Sequence, residues 1–413
     1  MTAGGADVIV VGGGPAGAAT AWALARNGVD VVVLDRAHFP RAKPCAEYLS
    51  PQARRILFEM GALDAVISAG AASLAGMTIH AASGRSFEGR FDPARSCAGE
   101  RNAALGIRRE VLDAILLDRA RAAGARVVEG VAVTGVVRDA TGRVTGVMAR
   151  EGITNRERPA RLVVGADGLR TVIGRRLGLV RAARWPRRLG FVSHYRGVAG
   201  IGECGEMHVF KDGYCGLAHV GAGVTNVGIV IPARRAAIAA GDVTAFVDRW
   251  IGLHPRLAAR FARAERLEPV RATGPFASHA RRAWAPGAAL VGDAADFFDP
   301  FTGEGMFEAL RGGELLGPYL CAALEARSAR VADEALNAYD RARRYLFAST
   351  WRVQKIVALA VAFPPLLNRT VAAAAGRTAI SDAVVNVASG FSPASELMRP
   401  AILRDLLLPF RAR

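Results

Sequence analysis

The residues with the clearest chemical use lie near the N-terminus, in the run Gly12-Gly13-Gly14-Pro15-Ala16-Gly17. In such a run the first glycine permits a tight turn, Gly14 lets the backbone approach a pyrophosphate, and Gly17 lets a helix pack closely on a strand. Free N–H groups at the helix start would face the phosphates. Asp35, 23 residues after Gly12, is placed to accept hydrogen bonds from ribose hydroxyls, with Arg36 beside it. These residues predict a dinucleotide site.

A strand, a helix and a second strand must hold these residues in place. Residues 7–11 are rich in β-branched side chains, which is typical of a parallel strand buried on both faces. Residues 18–25 favour a helix, and residues 29–34 favour a strand that ends at Asp35. A glycine-rich turn without a ligand does not account for that acid, so the context favours a dinucleotide-binding βαβ unit.

Two later apolar segments also end in small residues and a carboxylate. Residues 162–166 run into Asp167-Gly168, and residues 289–291 run into Gly292-Asp293. Three strand ends that lie far apart in the chain indicate one long ligand held by all of them.

These segments together resemble the glutathione-reductase-like flavoproteins, specifically the superfamily of FAD-dependent aromatic-ring hydroxylases (group A flavin monooxygenases) and geranylgeranyl reductases. Two further runs are similar to signatures of the geranylgeranyl-reductase-like branch, namely Phe39-Pro40-Arg41-Ala42-Lys43-Pro44-Cys45 and Asp299-Pro300-Phe301-Thr302-Gly303-Glu304-Gly305. The resemblance implies FAD as the cofactor. No second glycine-rich βαβ unit is visible, so NAD(P)H would be a transient electron donor, with a reduced carrier as the alternative.

The resemblance also implies roles for the segments. The first glycine run would hold the ADP half of FAD, Asp167-Gly168 would lie near the pyrophosphate, and Gly292-Asp293 would bind the ribitol. Pro300, Gly303, Gly305 and Met306 would border the flavin, where a helix beginning at Met306 would stabilise negative charge on the reduced ring.

Arg109 and Cys45 are two further residues that the resemblance singles out. Arg109, followed four residues later by Asp113, would contact the cofactor, although an exposed charge pair at a helix start is an alternative. The cysteine equivalent to Cys45 lies near the flavin in this branch, and Arg41 and Lys43 would favour its thiolate form. A buried or pocket-lining cysteine without a catalytic role remains the alternative.

The residues after Cys45 depart from the family pattern. Ala46-Glu47-Tyr48 follows the cysteine where the branch usually has a small glycine, so Glu47 and Tyr48 are pocket groups to consider in their own right.

The middle of the chain predicts an antiparallel sheet with turns at 211–213 and 221–223. The predicted strands cover residues 191–195, 206–210, 214–220 and 225–231. In the superfamily such a sheet covers the flavin, which implies substrate-contacting or catalytic roles for His194, Tyr195, His208, Tyr214 and His219. A histidine on a strand is equally explained as a structural residue. The Trp-x-Trp-x-Ile-Pro stretch of the halogenase branch is absent, which argues against halogenation.

Composition excludes several other classes of function. The net charge is +17, but only three lysines occur, and the arginine and alanine content is typical of a GC-rich genome. No basic stretch is interleaved with aromatic residues, so nucleic-acid binding is not expected. The five cysteines form no CxxC pair, so we expect neither disulfides nor a metal site. No secretory signal or spanning segment is readable, which predicts a cytoplasmic protein.

The sequence therefore predicts an α/β fold: a glutathione-reductase-like FAD-binding domain with an inserted antiparallel-sheet substrate domain and a helical C-terminal region. The FAD-binding domain would comprise residues 1–75, 101–182 and 275–345, the substrate domain 76–100 and 183–274, and a helical cap 346–413. The apolar, arginine-bearing end is either a cap or a region that admits a lipophilic substrate at the inner face of a membrane.

Three functions remain open at this stage. The first is an O₂-dependent monooxygenase that hydroxylates a hydrophobic aromatic or polyketide-type small molecule of secondary metabolism. The second is an ene-reductase of prenyl double bonds. The third is a non-redox flavin-dependent cyclase or isomerase. The histidine-bearing sheet favours the first, since a phenol needs a base for hydroxylation whereas a prenyl chain needs an apolar tunnel.

Overall fold

The computed structural model describes residues 5–92, 103–182, 185, 187–235, 241–400 and 402. Cys97 and the leucines after residue 402 lie outside these ranges. The strands are β1 (Ala6–Val11), β2 (Val31–Leu34), β3 (Tyr48–Leu49), β4 (Ala72–Leu74), β5 (Gly76–His80), β6 (Ser86–Arg90), β7 (Ala104–Gly106), β8 (Arg126–Val128), β9 (Val131–Arg138), β10 (Val144–Glu151), β11 (Thr154–Gly165), β12 (Val180–Ala182), β13 (Arg188–Arg196), β14 (Cys204–Phe210), β15 (Gly213–His219), β16 (Val224–Pro232), β17 (Glu265–Arg266), β18 (Arg271–Thr273), β19 (Ser278–Ala280), β20 (Trp284–Ala285), β21 (Ala288–Leu290) and β22 (Asp296–Phe297).

The helices are α1 (Pro15–Ala25), α2 (Pro51–Glu59), α3 (Leu63–Ser68), α4 (Arg109–Ala122), α5 (Val172–Arg176), α6 (Val243–Gly252), α7 (Pro255–Phe261), α8 (Gly305–Glu325), α9 (Ala329–Ala362), α10 (Pro364–Ala374) and α11 (Thr378–Ala388). Short 3₁₀ turns cover Gly292–Ala294, Pro300–Thr302 and Ala394–Met398.

The first sheet carries the predicted dinucleotide unit. Its order is β20-β21-β11-β1-β2-β8, and β21, β11, β1, β2 and β8 run parallel. The carboxyl ends of β1, β11 and β21 lie side by side, which brings the three predicted strand ends to one edge. All residues of α1 except Trp22 are buried, because this small-residue helix lies between the sheet and helices α4 and α8.

The second large sheet contains the four strands predicted in the middle of the chain. Its order is β17-β13-β16-β15-β14-β5-β6, and β18 also pairs with β13. Strands β5 and β6, from residues 76–90, extend it beyond β14. Helices α6 and α7 cover one face with Phe246, Trp250 and Leu257.

The C-terminal helices pack against the edge of this second sheet. Val371, Ile380 and Val385 join its core, and the Asn386 side-chain amide donates to the backbone oxygen of Arg90 at 2.9 Å. The structure confirms an α/β fold with a helical C-terminal region. The exact domain boundaries stay a prediction, and α9 runs through the predicted boundary between residues 345 and 346.

Among the helices of the described residues, no single one is long and apolar enough to cross a membrane. Helices α9 and α10 reach that length and composition only when taken together, and they meet at a bend of 107°.

Candidate functional site

The glycine loop has the close contacts that its spacing predicts. Gly12 has a φ of +104°, and a Cβ there would lie 2.5 Å from the Ala166 carbonyl oxygen. A Cβ at Gly17 would lie 1.8 Å from the Gly12 carbonyl oxygen, so α1 can approach β1 only with glycine at this position. A Cβ at Gly14, in contrast, would have only guanidinium nitrogens within 4 Å: Nη2 of Arg41 at 3.6 Å and Nη2 of Arg109 at 3.8 Å.

Asp35 holds this loop in place as well as facing the predicted ribose position. Its Oδ2 accepts from the Gly13 N–H at 2.7 Å, and its Oδ1 accepts from the Ala37 N–H at 2.8 Å. Each carboxylate oxygen keeps a further lone pair for a hydroxyl donor. Arg36, predicted beside it, is exposed.

A cavity of about 1720 Å³, counted with its opening to solvent, extends from the glycine loop to the second sheet. The predicted cofactor residues that line it are Gly14, Pro15, Ala16, Arg109, Gly168, Asp293, Pro300, Gly303, Gly305 and Met306. Cys45 and Tyr214 line it as well.

The other predicted cofactor residues do not line this cavity. Gly12 and Gly17 shape the loop, Asp35 and Arg36 lie beyond it, and Gly292 packs against the Ala16 side chain. Asp167 accepts from the Val172 N–H at 2.5 Å and so fixes the start of α5. It therefore acts in the structure as a helix-capping residue.

Three cations converge at the phosphate end of the cavity. Arg109 binds both carboxylate oxygens of Asp113 at 2.8 Å, and Arg41 Nη1 lies 3.2 Å from the same buried carboxylate. The side chains of Arg109 and Cys45 are hydrogen bonded. A Cβ at Gly168 would lie 3.1 Å from Lys43 Nζ, which places this ammonium next to the Asp-Gly turn. An anionic diphosphate could bind between these cations, on which Asp113, Asp35 and Asp293 also act through their charges.

Burial and charge act on the ionisable groups at this end. Burial lowers the pKa of Lys43, and the neighbouring Arg109 lowers it further. Burial raises the pKa of Asp293, while Lys43 and Arg109 oppose that shift. Thr302 Oγ1, which is buried at the cavity in the segment predicted to border the flavin, has no hydrogen-bond partner among the described residues. These features fit FAD, with Arg41, Lys43 and Arg109 beside the diphosphate and Asp293 beside the ribitol.

The Cys45 loop, residues 43–47, ends at Glu47, whose side chain holds the loop in place. Glu47 has a φ of +55°, a left-handed conformation that costs a non-glycine residue about 1–3 kcal/mol. Its Oε1 accepts from the Arg109 N–H at 2.8 Å, and its Oε2 lies 2.6 Å from His194 Nε2. The Asn226 amide donates to Glu47 Oε2 at 3.1 Å and to the Cys45 carbonyl oxygen at 3.0 Å. We call Glu47, His194 and Asn226 the Glu47 clamp.

His194 is therefore a structural partner in this arrangement and does not lie free at the cavity. Its Nδ1 is hydrogen bonded to Glu268 and its Nε2 to Glu47, so both ring nitrogens face carboxylates. Burial alone would lower the pKa of His194, but the bonds and charges of Glu47 and Glu268 outweigh it and raise that pKa. A protonated ring held between two acceptors has no lone pair with which to act as a base.

The predicted roles of His208, His219 and Tyr195 need correction, because these side chains lie on the far face of the sheet. Side chains alternate along a strand, and the register places Met207, Tyr214 and Asn226 together on the cavity face. His208, His219 and Tyr195 have the opposite parity, and none of them lines the cavity.

His208 belongs to a polar cluster on that far face. It bonds Glu206 at 2.8 Å and stacks on His80 with ring centroids 4.2 Å apart. The spacing of His80, Glu206 and His208 suits a metal ion. However, both oxygens of Glu206 bind the Arg260 guanidinium, so a cation already occupies this carboxylate.

Tyr214 is the predicted catalytic candidate of the sheet that does reach the cavity. Its hydroxyl donates to Asp299 Oδ1 at 2.7 Å, and the other oxygen of Asp299 forms a buried ion pair with Arg188 at 2.5 Å. Burial raises the pKa of Tyr214 well above its ordinary value, so it stays protonated. Asp299 also accepts from the Phe301 N–H at 3.1 Å, which fixes the segment bordering the predicted flavin position.

Sequence reasoning missed the apolar wall of the cavity and two polar residues. The wall consists mainly of Met77, Leu169, Val192, Met207, Val230, Phe276, Phe297, Phe298 and Phe301. Burial raises the pKa of Glu308 to about 8, and its Oε1 accepts from the Gln354 amide at 2.7 Å. Phe297 and Phe298 follow the Gly-Asp segment and could have been noticed. No pattern in the neighbouring sequence indicates that Phe276 and Gln354 line the cavity.

The glycine loop gives a first prediction, on Gly14→Val. The protein leaves space at this Cβ, so we expect a folded chain, but the branched side chain would intrude on the diphosphate. Such overpacking costs about 1–3 kcal/mol, or about ten- to a hundredfold in FAD affinity. Fluorescence titration with FAD measures this, and circular dichroism checks the fold. Gly202→Val, at an exposed glycine with no atom within 4 Å of its Cβ, is the control. Undiminished FAD binding by Gly14→Val would contradict the placement of the diphosphate at this loop.

The Glu47 clamp gives a second prediction, on His194→Gln. Because the pKa of His194 is raised in the fold, its stabilisation is fully present below the ordinary value of about 6.5 and is lost as pH rises through the raised value. We expect the variant to be less stable than wild type by about 1–3 kcal/mol at low pH, and by less in alkali. Urea unfolding at several pH values measures this.

The same variant should also loosen the Cys45 loop. We expect faster alkylation of Cys45 by iodoacetamide, followed on its peptide by mass spectrometry. The matched control is His254→Gln, which removes a histidine paired with Asp212 outside the cavity. That control should lose stability without changing Cys45 alkylation. Equal alkylation rates in all three proteins would show that the clamp does not position the loop.

Comparisons with known proteins show the family of the chain. The sequence profile of the FAD binding domain family matches residues 5–192. The chain is 31% identical over 326 residues to digeranylgeranylglycerophospholipid reductase 2 of Methanopyrus kandleri, covering 77% of this chain and 78% of the relative. It is 30% identical over 416 residues to menaquinone reductase of Mycobacterium tuberculosis, covering 93% and 91%.

Two solved structures share the fold. A geranylgeranyl bacteriochlorophyll reductase-like protein of Thermoplasma acidophilum superposes with a TM-score of 0.78 at 23% identity, covering 98% of this chain and 100% of the other. A flavin-dependent brominase superposes with a TM-score of 0.79 at 19% identity, covering 97% of each. The profile match and the relatives show an FAD-dependent oxidoreductase. The chain belongs to the geranylgeranyl-reductase-like branch of the FAD-dependent aromatic-ring hydroxylase superfamily.

Proposed function

We propose that this FAD-dependent oxidoreductase reduces carbon–carbon double bonds in an apolar, isoprenoid-type substrate. The observation that carries the proposal is the composition of the cavity on its sheet side. Methionine, phenylalanine and valine side chains form that wall, and no histidine of the described residues lines it. Apolar walls favour a hydrocarbon chain, since burying such a chain releases about 0.8 kcal/mol per methylene.

Hydroxylation of a phenol, which the sequence favoured, has less support. That preference depended on a histidine base in the sheet. His194 cannot act as that base, because both of its ring nitrogens are bonded to carboxylates. His208 and His219 do not face the cavity, because they lie on the far face of the sheet. The relatives are named as reductases of a geranylgeranyl lipid and of menaquinone, and these names support the reductase over the hydroxylase.

The residues of the cavity can perform the protein's share of such a reduction. Bound FAD, once reduced, would supply a hydride for one new C–H bond, with NAD(P)H or a reduced carrier as the source of electrons. The second C–H bond needs a proton from a group that retains one at neutral pH. Glu308, with its pKa raised to about 8, and Tyr214 are such groups, and the Cys45 thiol lies at the same cavity.

Glycines on the cavity face leave room for a long substrate. Gly190, Gly205, Gly216 and Gly228 lie on neighbouring strands, where any side chain would project into the cavity. The Cβ positions at Gly205 and Gly216 are covered by methionine sulfurs, at 2.7 Å from Met77 and 3.2 Å from Met207. A Cβ at Gly228 has no atom within 4 Å. A side chain at position 228 would therefore enter open space in the cavity.

The reaction itself can be tested without oxygen. Enzyme reduced anaerobically with dithionite in D₂O, then mixed with geranylgeraniol, should form a product with one double bond fewer and deuterium at both carbons of the former double bond, because both hydrogens originate from the solvent. Cys45→Ala should lose this activity if the thiol takes part, while its FAD content reports on intact binding. Product that forms only with O₂ and carries its oxygen atom would reject the reductase and support the monooxygenase.

Gly228→Leu tests the depth of the cavity. The space at this Cβ allows the side chain to fit, so we expect a folded, FAD-loaded protein. Reduction of geranylgeraniol should fall by about tenfold or more, since a filled pocket costs about 1–3 kcal/mol, while the shorter geraniol should be affected less. The measurement is kcat/KM for each alcohol, and Gly202→Leu is the control. An equal loss for both chain lengths would show that Gly228 does not face the chain.

A further inference from the structure

The bend between α9 and α10 presents an apolar stripe to solvent. Ile356, Leu359, Phe363 and Leu366 are 62%, 42%, 56% and 44% exposed. Ile356 and Leu359 are three residues apart on one face of α9, while Phe363 lies at the bend and Leu366 on the first turn of α10. Four large apolar side chains are therefore exposed within eleven residues, unlike an isolated exposed leucine.

Two exposed cations lie beside this stripe. Arg352 and Lys355 are on the turn of α9 that precedes and meets Ile356. Residues 341–381 contain no aspartate or glutamate, so no acid of this segment offsets the two cations. An apolar stripe flanked by cations matches the boundary of an anionic membrane, where headgroups carry negative charge above the acyl chains.

Lys355, next to the stripe, also contacts the cavity wall. Phe298 lines the cavity and has Lys355 Nζ 5.4 Å from its ring centroid and the Trp351 ring 6.1 Å away. Gln354, on the same turn of α9, lines the cavity too. Helix α9 therefore lies between the cavity and the exposed stripe, with Lys355 at the boundary.

We propose that the α9–α10 bend, formed by Arg352, Lys355, Ile356, Leu359, Phe363 and Leu366, docks on an anionic lipid bilayer. The apolar side chains enter the acyl boundary, and Arg352 and Lys355 pair with lipid headgroups. Docking places the wall at Phe298 next to the membrane, where an apolar substrate is dissolved. This last step rests on the proposed function, whereas the docking itself does not.

The test uses the full-length FAD-loaded protein and vesicle flotation without turnover. Wild type should float with vesicles of phosphatidylglycerol and phosphatidylcholine, and much less with phosphatidylcholine alone. The double variant Ile356→Gln/Phe363→Gln should lose at least about tenfold in affinity for the anionic vesicles, since two partly inserted apolar side chains are removed. Arg352→Glu should also weaken binding and reduce its salt dependence.

The matched control is Ile153→Gln/Leu253→Gln, which removes two apolar side chains that are 99% and 75% exposed elsewhere. It should bind as wild type does. Equal binding by both double variants, or no binding of wild type to anionic vesicles, would overturn the proposal. A wild-type dimer that the bend variant dissociates, seen by sedimentation velocity without vesicles, would identify a second copy as the occupant and reject the bilayer. Vesicle binding that appears only after removal of residues 403–413 would identify the chain's own C-terminal segment as the occupant of the bend, and would likewise reject the bilayer.

The experiment separates docking from the proposed reaction. Reduction of geranylgeraniol dispersed in detergent should be unchanged in the bend variant, while reduction of the same alcohol in anionic vesicles should fall. A protein that binds vesicles through the bend but reduces no double bond would retain the docking surface and reject the reductase.

Discussion

The site depends on the contact that Glu47 makes between the two sheets. One carboxylate oxygen accepts from the first N–H of α4, and the other lies between His194 and Asn226 of the second sheet. Charge-assisted hydrogen bonds contribute about 1.5–3 kcal/mol each, so they offset the left-handed backbone at this residue. Because Asn226 also holds the Cys45 carbonyl, the position of the cavity-lining cysteine follows from this one carboxylate.

The cavity is divided chemically along its length. At the end near α1, Arg41, Lys43 and Arg109 lie together, and such cations can form charge-assisted hydrogen bonds with a diphosphate. At the end near the second sheet, side chains are apolar and glycines expose the backbone. Tyr214 and Asp299 lie among these apolar groups, where the Tyr214 hydroxyl donates to Asp299 and Asp299 forms a buried ion pair with Arg188. Charge therefore orients an anionic cofactor at one end of the cavity only, and the other end is left to an apolar substrate.

Local patterns predicted the glycine loop, the three strand ends and the four middle strands, because each depends on residues adjacent in sequence. They did not predict which histidines face the cavity. Strands β13 to β16 are buried on both faces, by α6 and α7 on one side and the cavity wall on the other, so polar and apolar residues do not alternate. Without that alternation His194 and His208 look alike. Arg188, Phe276 and Gln354 reach the site from distant segments, and only the tertiary fold brings them there.

Helix α9 connects these features to the outside of the protein. One face completes the site: Gln354 holds Glu308, the Ala358 carbonyl accepts from Arg188, and Arg343 pairs with Asp296 at the cavity. The opposite face carries the exposed apolar stripe. A shift of α9 along its axis would therefore change the contacts of Glu308 and of the Arg188–Asp299 pair together.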